Sequence, residues 1–271
     1  MVLSWSSGHL VFPLDVRYYW PMEKAFLEEV FASLQGEGPW AGQRQIFVRF
    51  RGCDLRCRYC DTPEAVKSTG EERELPCRVQ VSPVSLGREE VPNPVIPAEL
   101  TRLCDRIAIA GPGRPVVSLT GGEPLLQAAF LHEWLPETRQ RYGIYLETSG
   151  VHHAAMGPLA PLIDVVSMDI KLPSATGQGP RWDDHARFIA AASGCRLFVK
   201  VVVTRDTTPE DLREAALLVA KHDRSVPFII QPASGPLASD GASLLLRQSE
   251  LLRFLEDVRV IPQVHKILLV P

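Results

Sequence analysis

The sequence lacks several features that would assign it to common functional classes. Its 29 Lys and Arg residues are outnumbered by 32 Asp and Glu residues, and the formal net charge of −3 gives no reason to expect a nucleic-acid partner. It contains no Gly-Lys-Ser or Gly-Lys-Thr triplet, which excludes a nucleotide-binding P-loop. Its longest apolar runs, such as 197–203, are strand-sized and too short to cross a membrane.

The N-terminus also lacks the basic segment and the apolar core of a secretory signal peptide. The chain has six cysteines, three of them clustered, which is typical of a reducing compartment rather than of a disulfide framework. We therefore expect a cytoplasmic protein with free thiols. Contents of 45% hydrophobic and 23% charged residues predict a folded chain, and 271 residues suffice for one large α/β domain.

The clustered cysteines, Cys53, Cys57 and Cys60, have the spacing C-x3-C-x2-C and follow a predicted strand at 45–50. Thiolates are soft ligands that suit iron–sulfur clusters or zinc. A structural zinc site requires four ligands, and no fourth Cys or His follows at short range. Three thiolates on a [4Fe–4S] cluster leave one iron free to bind S-adenosylmethionine. With Tyr59 before the last cysteine, the pattern resembles the signature of radical S-adenosylmethionine enzymes; structural or zinc-binding thiols are the alternative.

Apolar and amphipathic segments alternate along the rest of the chain. Strands are predicted at 115–119, 144–146, 165–168, 197–203 and 228–230. Helices are predicted at 98–110, 125–142 with a kink or break at Pro136, 183–192, 209–221 with Thr208 as cap, and 243–255. Buried strands separated by helices imply a parallel sheet with right-handed crossovers. The last apolar run, 266–270, is predicted to be a further buried strand.

We interpret residues 1–22 as an N-terminal extension and residues 23–271 as a single domain. The stretch 65–94 is polar and rich in proline, so we interpret it as an insertion into that domain. Its alternation at 79–82 is typical of one arm of a hairpin.

Four motifs follow predicted strands, at the edge where parallel sheets keep their active sites. Besides the cysteine loop, they are Thr120-Gly-Gly-Glu-Pro124, Glu147-Thr-Ser-Gly150 and Ser167-Met-Asp-Ile-Lys171. The glycines of the second motif leave the backbone open to the methionyl ammonium of S-adenosylmethionine, and Glu123 is expected to add negative charge beside it. Ser167, Asp169 and Lys171 alternate along one strand and therefore point together. They would contact ribose and carboxylate groups, or alternatively form a salt-bridged barrel interior.

A further motif lies upstream, where Gly36 and Gly38 alternate with Gln35 and Glu37. Glycine permits unusual backbone angles and the close approach of a ligand. A simple turn does not require the two polar side chains, which favours a binding loop.

The segment 33–42, Ser-Leu-Gln-Gly-Glu-Gly-Pro-Trp-Ala-Gly, together with Phe-Val-Arg at 47–49 and the cysteine loop ending in Asp-Thr, resembles the 7-carboxy-7-deazaguanine synthase family of the queuosine and 7-deazapurine pathway. Agreement continues through the three later motifs, Gln231-Pro232 and Pro-Gln-Val-His-Lys at 262–266. The resemblance covers most of residues 26–271.

The resemblance implies an incomplete (β/α) barrel of about six parallel strands. It also implies a lyase in which a [4Fe–4S] cluster cleaves S-adenosylmethionine to a 5′-deoxyadenosyl radical. That radical takes hydrogen from C6 of 6-carboxy-5,6,7,8-tetrahydropterin, the ring contracts with loss of ammonia, and hydrogen returns to the cofactor. Mg²⁺, a flavodoxin- or ferredoxin-like reductant and a homodimer are further expectations from the family.

The resemblance also implies roles for individual residues. Cys53, Cys57 and Cys60 would hold the cluster. Thr62 would bind Mg²⁺, with Asp61 as the competing ligand on charge, although we expect Asp61 to orient the loop. The S-adenosylmethionine contacts would be Tyr59, Gly121, Gly122, Glu123, Glu147, Ser149, Ser167, Asp169, Lys171 and Gln231. The substrate contacts would be Leu34, Gln35, Gly36, Glu37, Gly38, Arg49, Thr120, Gly121, His265 and Pro271.

Two of these roles have explicit alternatives. Arg49 would bind the substrate carboxylate through its planar guanidinium group, but an inward-facing strand arginine could instead pair with Glu37. The main-chain carboxylate of Pro271 would face the aminopyrimidinone edge of the pterin, or the chain could simply end at the surface.

Two other functional classes share part of this pattern. An activating enzyme that installs a glycyl radical on a partner protein would have the cysteines and the cofactor site, but a small polar pocket built from the Gln-Gly-Glu-Gly loop would be superfluous there. A non-catalytic iron–sulfur or zinc protein would leave the motifs after the cysteine loop without a role.

Overall fold

The computed structural model describes residues 23–66, 72 and 74–271, and the predicted extension 1–22 lies outside this range. Its strands are β1 (Leu27–Leu34), β2 (Arg44–Phe50), β3 (Cys77–Gln80), β4 (Arg88–Val91), β5 (Val116–Gly121), β6 (Gly143–Thr148), β7 (Val165–Asp169), β8 (Arg196–Val203), β9 (Phe228–Pro232) and β10 (Val258–Val260). They form one sheet in the order β10-β9-β8-β7-β6-β5-β2-β1-β3-β4.

The helices are α1 (Pro63–Val66), α2 (Pro97–Ile107), α3 (Ala128–Thr138), α4 (His153–Leu159), α5 (Pro173–Thr176), α6 (Trp182–Ala191), α7 (Pro209–His222), α8 (Gly241–Leu251) and α9 (Val264–Leu268). Short 3-10 turns are present at Gly38–Trp40, Pro124–Gln127, Ala160–Leu162 and Gly235–Leu237. In the described part of the chain, no helix combines the length and the hydropathy that a membrane span requires.

The central sheet confirms the prediction of an incomplete parallel barrel. Each neighbouring pair from β2 and β5 through to β9 and β10 is parallel. The sheet ends at β10 on one side and at β4 on the other, so the barrel does not close. It has one parallel strand more than the six expected, because the three-residue β10 is too short for its pattern to show in the sequence.

Burial and helix capping explain why these segments form the predicted elements. The last six residues of β8 are buried, as expected for a parallel strand covered on both faces. At the start of α7, the Thr208 hydroxyl accepts the Asp211 N–H at 3.3 Å and Pro209 occupies the first turn, a favoured pairing of cap and proline.

The predicted insertion 65–94 contributes to the same sheet. Strands β3 and β4 pair in antiparallel orientation, so the predicted hairpin arm at 79–82 is close to the observed β3. Strand β3 then runs parallel to β1, and β1 is antiparallel to β2. The hairpin thus extends the sheet beyond the predicted barrel strands.

Two predictions of secondary structure are wrong. The predicted helix 125–142 is too long: α3 ends at Thr138, with Pro136 inside it and no break there, and the residues before it form a 3-10 turn rather than part of the helix. The run 266–270 is not a buried strand, because the chain leaves the sheet at Pro262 and the Val264 N–H donates to the Gly36 carbonyl at 2.8 Å. Helix α9 follows, and the side chain of Leu269 is 90% exposed.

Candidate active site

A cavity of about 680 Å³ lies at the carboxyl ends of the parallel strands. Strands β2 and β5 to β9, the cysteine loop, the Gln-Gly-Glu-Gly loop and α9 all contribute to its wall. It collects most of the residues predicted from the sequence: Leu34, Gln35, Gly36, Glu37, Arg49, Cys53, Cys57, Tyr59, Cys60, Asp61, Thr62, Thr120, Gly121, Gly122, Glu147, Ser149, Asp169, Lys171, Gln231, His265 and Pro271.

The three clustered cysteines are free thiols on this wall, and Cys60 is exposed. Burial raises the pKa of Cys53 to about 11 and also raises the pKa of Cys57, so a bound cation has to stabilise the thiolates. Among the described residues, no three Cys, His, Asp or Glu side chains converge as the ligands of a single ion must. Three thiols of one loop could each bind a different iron of a cluster.

The Gln-Gly-Glu-Gly loop directs two polar side chains into the cavity. Gln35 Nε2 donates to Glu147 Oε1 at 2.9 Å and to Gln45 Oε1 at 3.1 Å. Glu37 Oε2 lies 2.8 Å from Lys200 Nζ, and Glu37 Oε1 accepts from Gln231 Nε2 at 2.9 Å. Burial alone would raise the pKa of Glu37, but the Lys200 ammonium outweighs it and holds this pKa below its usual range.

Lys200 and Lys171 share a carboxylate at the base of the cavity. Asp169 Oδ2 lies 2.9 Å from Lys171 Nζ and 3.0 Å from Lys200 Nζ. Burial would raise the pKa of Asp169, but the two ammonium groups lower it below its usual range, while Asp169 raises the pKa of both lysines despite their burial. The carboxylate is therefore ionised, and the ion pairs of Asp169 are those of the salt-bridged alternative for the trio; its contact with a ligand stays a prediction.

Several buried polar atoms on this wall have no hydrogen-bond partner within the described chain. They are Tyr59 Oη, Asp169 Oδ1 and Gln231 Oε1. Unpaired polar atoms are costly when buried, and the three residues that carry them line the cavity. Two acceptors and a hydroxyl fit a ligand that presents ribose hydroxyls and an ammonium group, which are the polar groups of S-adenosylmethionine.

Three of the predicted contacts do not reach the cavity wall. Glu123 is fully buried and its carboxylate accepts hydrogen bonds from the Ser149 and Thr148 hydroxyls, so it connects the ends of β5 and β6. Ser167 is buried in β7 with no partner in the described chain. Gly38 has a φ of +63°, and a Cβ there would lie 2.4 Å from the Phe198 ring, so its role is in packing.

Two other predictions are clarified by the ion pairs. Arg49 Nε pairs with Glu29 Oε1 at 2.9 Å, and not with Glu37, because Glu29 is its register partner on the adjacent antiparallel strand. Asp61 Oδ2 accepts from Lys266 Nζ at 2.9 Å, which fits the expectation that Asp61 orients the loop. Although burial opposes it, the bond from Lys266 lowers the pKa of Asp61 to about 2. The neighbouring Thr62 lines the cavity.

Sequence reasoning missed two residues that organise the site. Lys200 stands in an otherwise apolar strand, and that isolated charge was the available signal. His185 of α6 is fully buried; Nε2 accepts the Lys171 N–H at 3.2 Å, which leaves Nδ1 to donate to the Gly150 carbonyl at 3.0 Å. It thereby links the motifs at the ends of β6 and β7, and nothing in the sequence around it indicated this role.

Comparison with known proteins places this site in a family. Residues 47–222 match the radical SAM superfamily. The chain is 40% identical over 246 residues to the 7-carboxy-7-deazaguanine synthase of Geobacter sulfurreducens, covering 89% of this chain and 96% of that protein. It is 38% identical over 253 residues to the 7-carboxy-7-deazaguanine synthase of Methanopyrus kandleri, covering 88% and 91% of the two chains.

The solved structures agree in fold. The crystal structure of QueE from Escherichia coli superimposes with a TM-score of 0.60 at 23% sequence identity, covering 89% of this chain and 95% of that chain. The two chains therefore share the same overall fold. On these sequence and structural grounds, the chain belongs to the 7-carboxy-7-deazaguanine synthase family of radical S-adenosylmethionine enzymes.

Proposed function

We propose that this chain converts 6-carboxy-5,6,7,8-tetrahydropterin to 7-carboxy-7-deazaguanine with loss of ammonia. The observation that carries the proposal is the buried ion pair between Lys200 and Glu37. Lys200 also pairs with Asp169 of the Ser-x-Asp-x-Lys motif, so it connects that motif to the Gln-Gly-Glu-Gly loop. One cavity therefore holds adjacent sites for a cofactor and for a small polar substrate.

The cysteine loop would hold the cofactor. Cys53, Cys57 and Cys60 would each hold one iron of a [4Fe–4S] cluster, which would leave one iron for S-adenosylmethionine. When bound, this pair supplies the radical that takes hydrogen from the substrate. Asp169 and Gln231 line the cavity, and each has an oxygen without a partner in the described chain; these oxygens would accept hydrogen bonds from hydroxyl or ammonium groups of the cofactor.

The opposite wall would hold the substrate. The Arg49 side chain reaches the cavity while its Nε is bonded to Glu29, so the guanidinium group is held in place as it binds the substrate carboxylate. Gln35 and Glu37 bond the polar edge of the pterin, and His265 packs over Gly36, where a Cβ would lie 1.8 Å from its Nδ1. Burial lowers the pKa of His265, which favours the neutral ring.

Mg²⁺ would bind beside the cluster loop. The ion prefers oxygen ligands and retains several waters, so the single hydroxyl of Thr62 suffices as the protein ligand. Asp61 is already bonded to Lys266 and orients the loop. A flavodoxin- or ferredoxin-like donor supplies the electron, and the enzyme is a cytoplasmic homodimer.

An anaerobic assay tests this proposal. The reconstituted enzyme is incubated with S-adenosylmethionine, reductant, Mg²⁺ and the carboxytetrahydropterin, and the deazaguanine is detected by its mass. Cys57→Ala should lose both cluster and product, whereas Cys195→Ala, a matched change at a cysteine outside the loop, should retain both. Cofactor cleavage without any deazaguanine would contradict the proposed substrate.

A further inference from the structure

Gln178 lies within hydrogen-bond distance of a cysteine of the cluster loop. Its Nε2 atom is 3.7 Å from Cys57 Sγ, a normal separation for a bond to sulfur, which is larger than oxygen. The motifs discussed above do not include Gln178, and nothing in the proposed reaction uses it. An amide N–H is a donor, and a thiolate that binds iron is an acceptor.

Hydrogen bonds hold the backbone around Gln178, and they fix the position from which its side chain reaches Cys57. The Gln178 N–H donates to the Thr176 hydroxyl at 3.2 Å, and Gly177 adopts a left-handed φ of +76° at the end of α5. The same turn is attached to the cluster loop, because the Arg58 N–H donates to the Thr176 carbonyl at 3.2 Å. Arg58 also donates to the Ser174 carbonyl at 2.6 Å.

The sulfur atoms of the three cysteines differ in the hydrogen-bond donors that the protein offers them. Cys53 Sγ accepts the Leu55 backbone N–H at 3.4 Å, and Cys60 Sγ lies 3.9 Å from the Thr62 hydroxyl. Within the described chain, Cys57 is the one whose sulfur is bonded by a side-chain amide. That donor can be removed by mutation without altering the loop, whereas a backbone N–H cannot.

Hydrogen bonds to the sulfurs of an iron–sulfur cluster are one of the determinants of its reduction potential. The reduced cluster carries one more negative charge than the oxidised cluster. A donor on a ligand sulfur therefore stabilises the reduced state more, and this raises the potential. Gln178 also lines a cavity of about 390 Å³ beside the loop.

We propose that Gln178 is a positioning residue for the redox chemistry of the enzyme, and that its hydrogen bond to Cys57 raises the reduction potential of the cluster. The bond eases the uptake of one electron from a low-potential donor such as a reduced flavodoxin. This inference rests on the assignment of Cys57 as a cluster ligand.

The midpoint potential of the reconstituted cluster tests the inference. In a dithionite titration followed by electron paramagnetic resonance, Gln178→Met removes the donor and nearly keeps the side-chain length. We expect the equilibrium constant for reduction to fall about tenfold, which is about 59 mV for one electron. Gln140→Leu removes an exposed glutamine that bonds the Pro136 carbonyl, and it should leave the potential unchanged.

An unchanged potential in a Gln178→Met enzyme that retains its iron would overturn the inference. If that variant does not hold a cluster, the wild-type enzyme labelled with ¹⁵N at the glutamine side-chain amide gives an independent readout. Pulsed electron paramagnetic resonance of the reduced cluster should then show a ¹⁵N coupling, and its absence would also overturn the inference. Full iron content in Cys57→Ala would instead show that the ligand assignment itself is wrong.

Discussion

Lys200 and Glu37 form an ion pair of 2.8 Å at the base of the active-site cavity. The two residues come from β8 and from the loop after β1, which are far apart in the sheet order. Because Lys200 also bonds Asp169, the ammonium connects the proposed cofactor and substrate sites. Both carboxylates have pKa values below their usual range, so the network is charged at neutral pH.

Removing this ammonium should therefore lower the stability of the fold. In Lys200→Met, Glu37 keeps only neutral amide partners such as Gln231, and breaking a buried pair by deleting one partner costs about 3–5 kcal/mol. We predict a decrease of that size in the free energy of unfolding in urea. Lys221→Met, on the exposed end of α7, should change it by less than about 0.5 kcal/mol, and equal stabilities of the two variants would contradict the prediction.

The stability of the fold should fall on mild acidification because of His185. Burial lowers the pKa of His185 from 6.5 to about 4, so between these pH values the unfolded chain binds a proton that the folded chain does not. Stability therefore rises with pH across this window, and the full difference corresponds to about 3 kcal/mol. This contribution to the stability of the fold is fully present above pH 6.5 and is lost as the pH falls toward 4.

Urea unfolding at several pH values checks this prediction. His185→Gln should show a flatter dependence than the wild type between pH 4 and 6.5, whatever its stability at neutral pH. His222→Gln, at an exposed position, should keep the wild-type slope. Parallel curves for wild type and His185→Gln would show that His185 is not the group responsible.

Gly36 is required by close packing against α9. A Cβ at this position would lie 1.8 Å from His265 Nδ1, so Gly36→Ala must displace that side chain from the cavity wall. We predict that substrate affinity falls roughly tenfold, or about 1.4 kcal/mol, with the fold retained. Gly157→Ala, where no atom lies within 4 Å of the new Cβ, is the matched control; substrate titration of both variants by calorimetry distinguishes them.

Arg49 tests the proposed recognition of the substrate carboxylate. In Arg49→Lys a point charge replaces the planar guanidinium group, so two parallel bonds become one. Substrate binding should weaken by about 1.5–3 kcal/mol, while the affinity for S-adenosylmethionine stays unchanged. Arg44→Lys, on the exposed start of the same strand, should bind substrate as the wild type does. Wild-type substrate affinity in Arg49→Lys would refute this assignment.

The sequence predicted the partial barrel and most of the cavity wall, because strand patterns and motif positions follow local rules. It did not reveal the Ser149 and Thr148 hydroxyls that bond Glu123 in the folded structure, because a charged residue in a glycine-rich turn looks available to a ligand. It also misassigned the run 266–270, since an apolar segment can be a strand or a short helix. Which of the two forms is determined by a hydrogen bond to a residue distant in the chain, from the Val264 N–H to the Gly36 carbonyl.

Lys200 and Gln178 mark another limit of prediction from sequence. Each acts on a residue distant in the chain, namely Glu37 and Cys57, and no local pattern contains that information. The ETSG and Ser-x-Asp-x-Lys motifs could be placed at strand ends, but the histidine that joins them comes from a separate helix. Long-range contacts of this kind are determined by the topology of the sheet.

The central claim is that a cofactor-derived radical takes hydrogen from C6 of a carboxytetrahydropterin bound in this cavity. The most direct measurement uses substrate deuterated at C6 in the anaerobic reaction, with mass spectrometry of the deazaguanine and of S-adenosylmethionine. We expect that 7-carboxy-7-deazaguanine forms and that deuterium enters the recovered S-adenosylmethionine. Deazaguanine formation with no deuterium in the cofactor, or cofactor cleavage with the substrate unchanged, would contradict it.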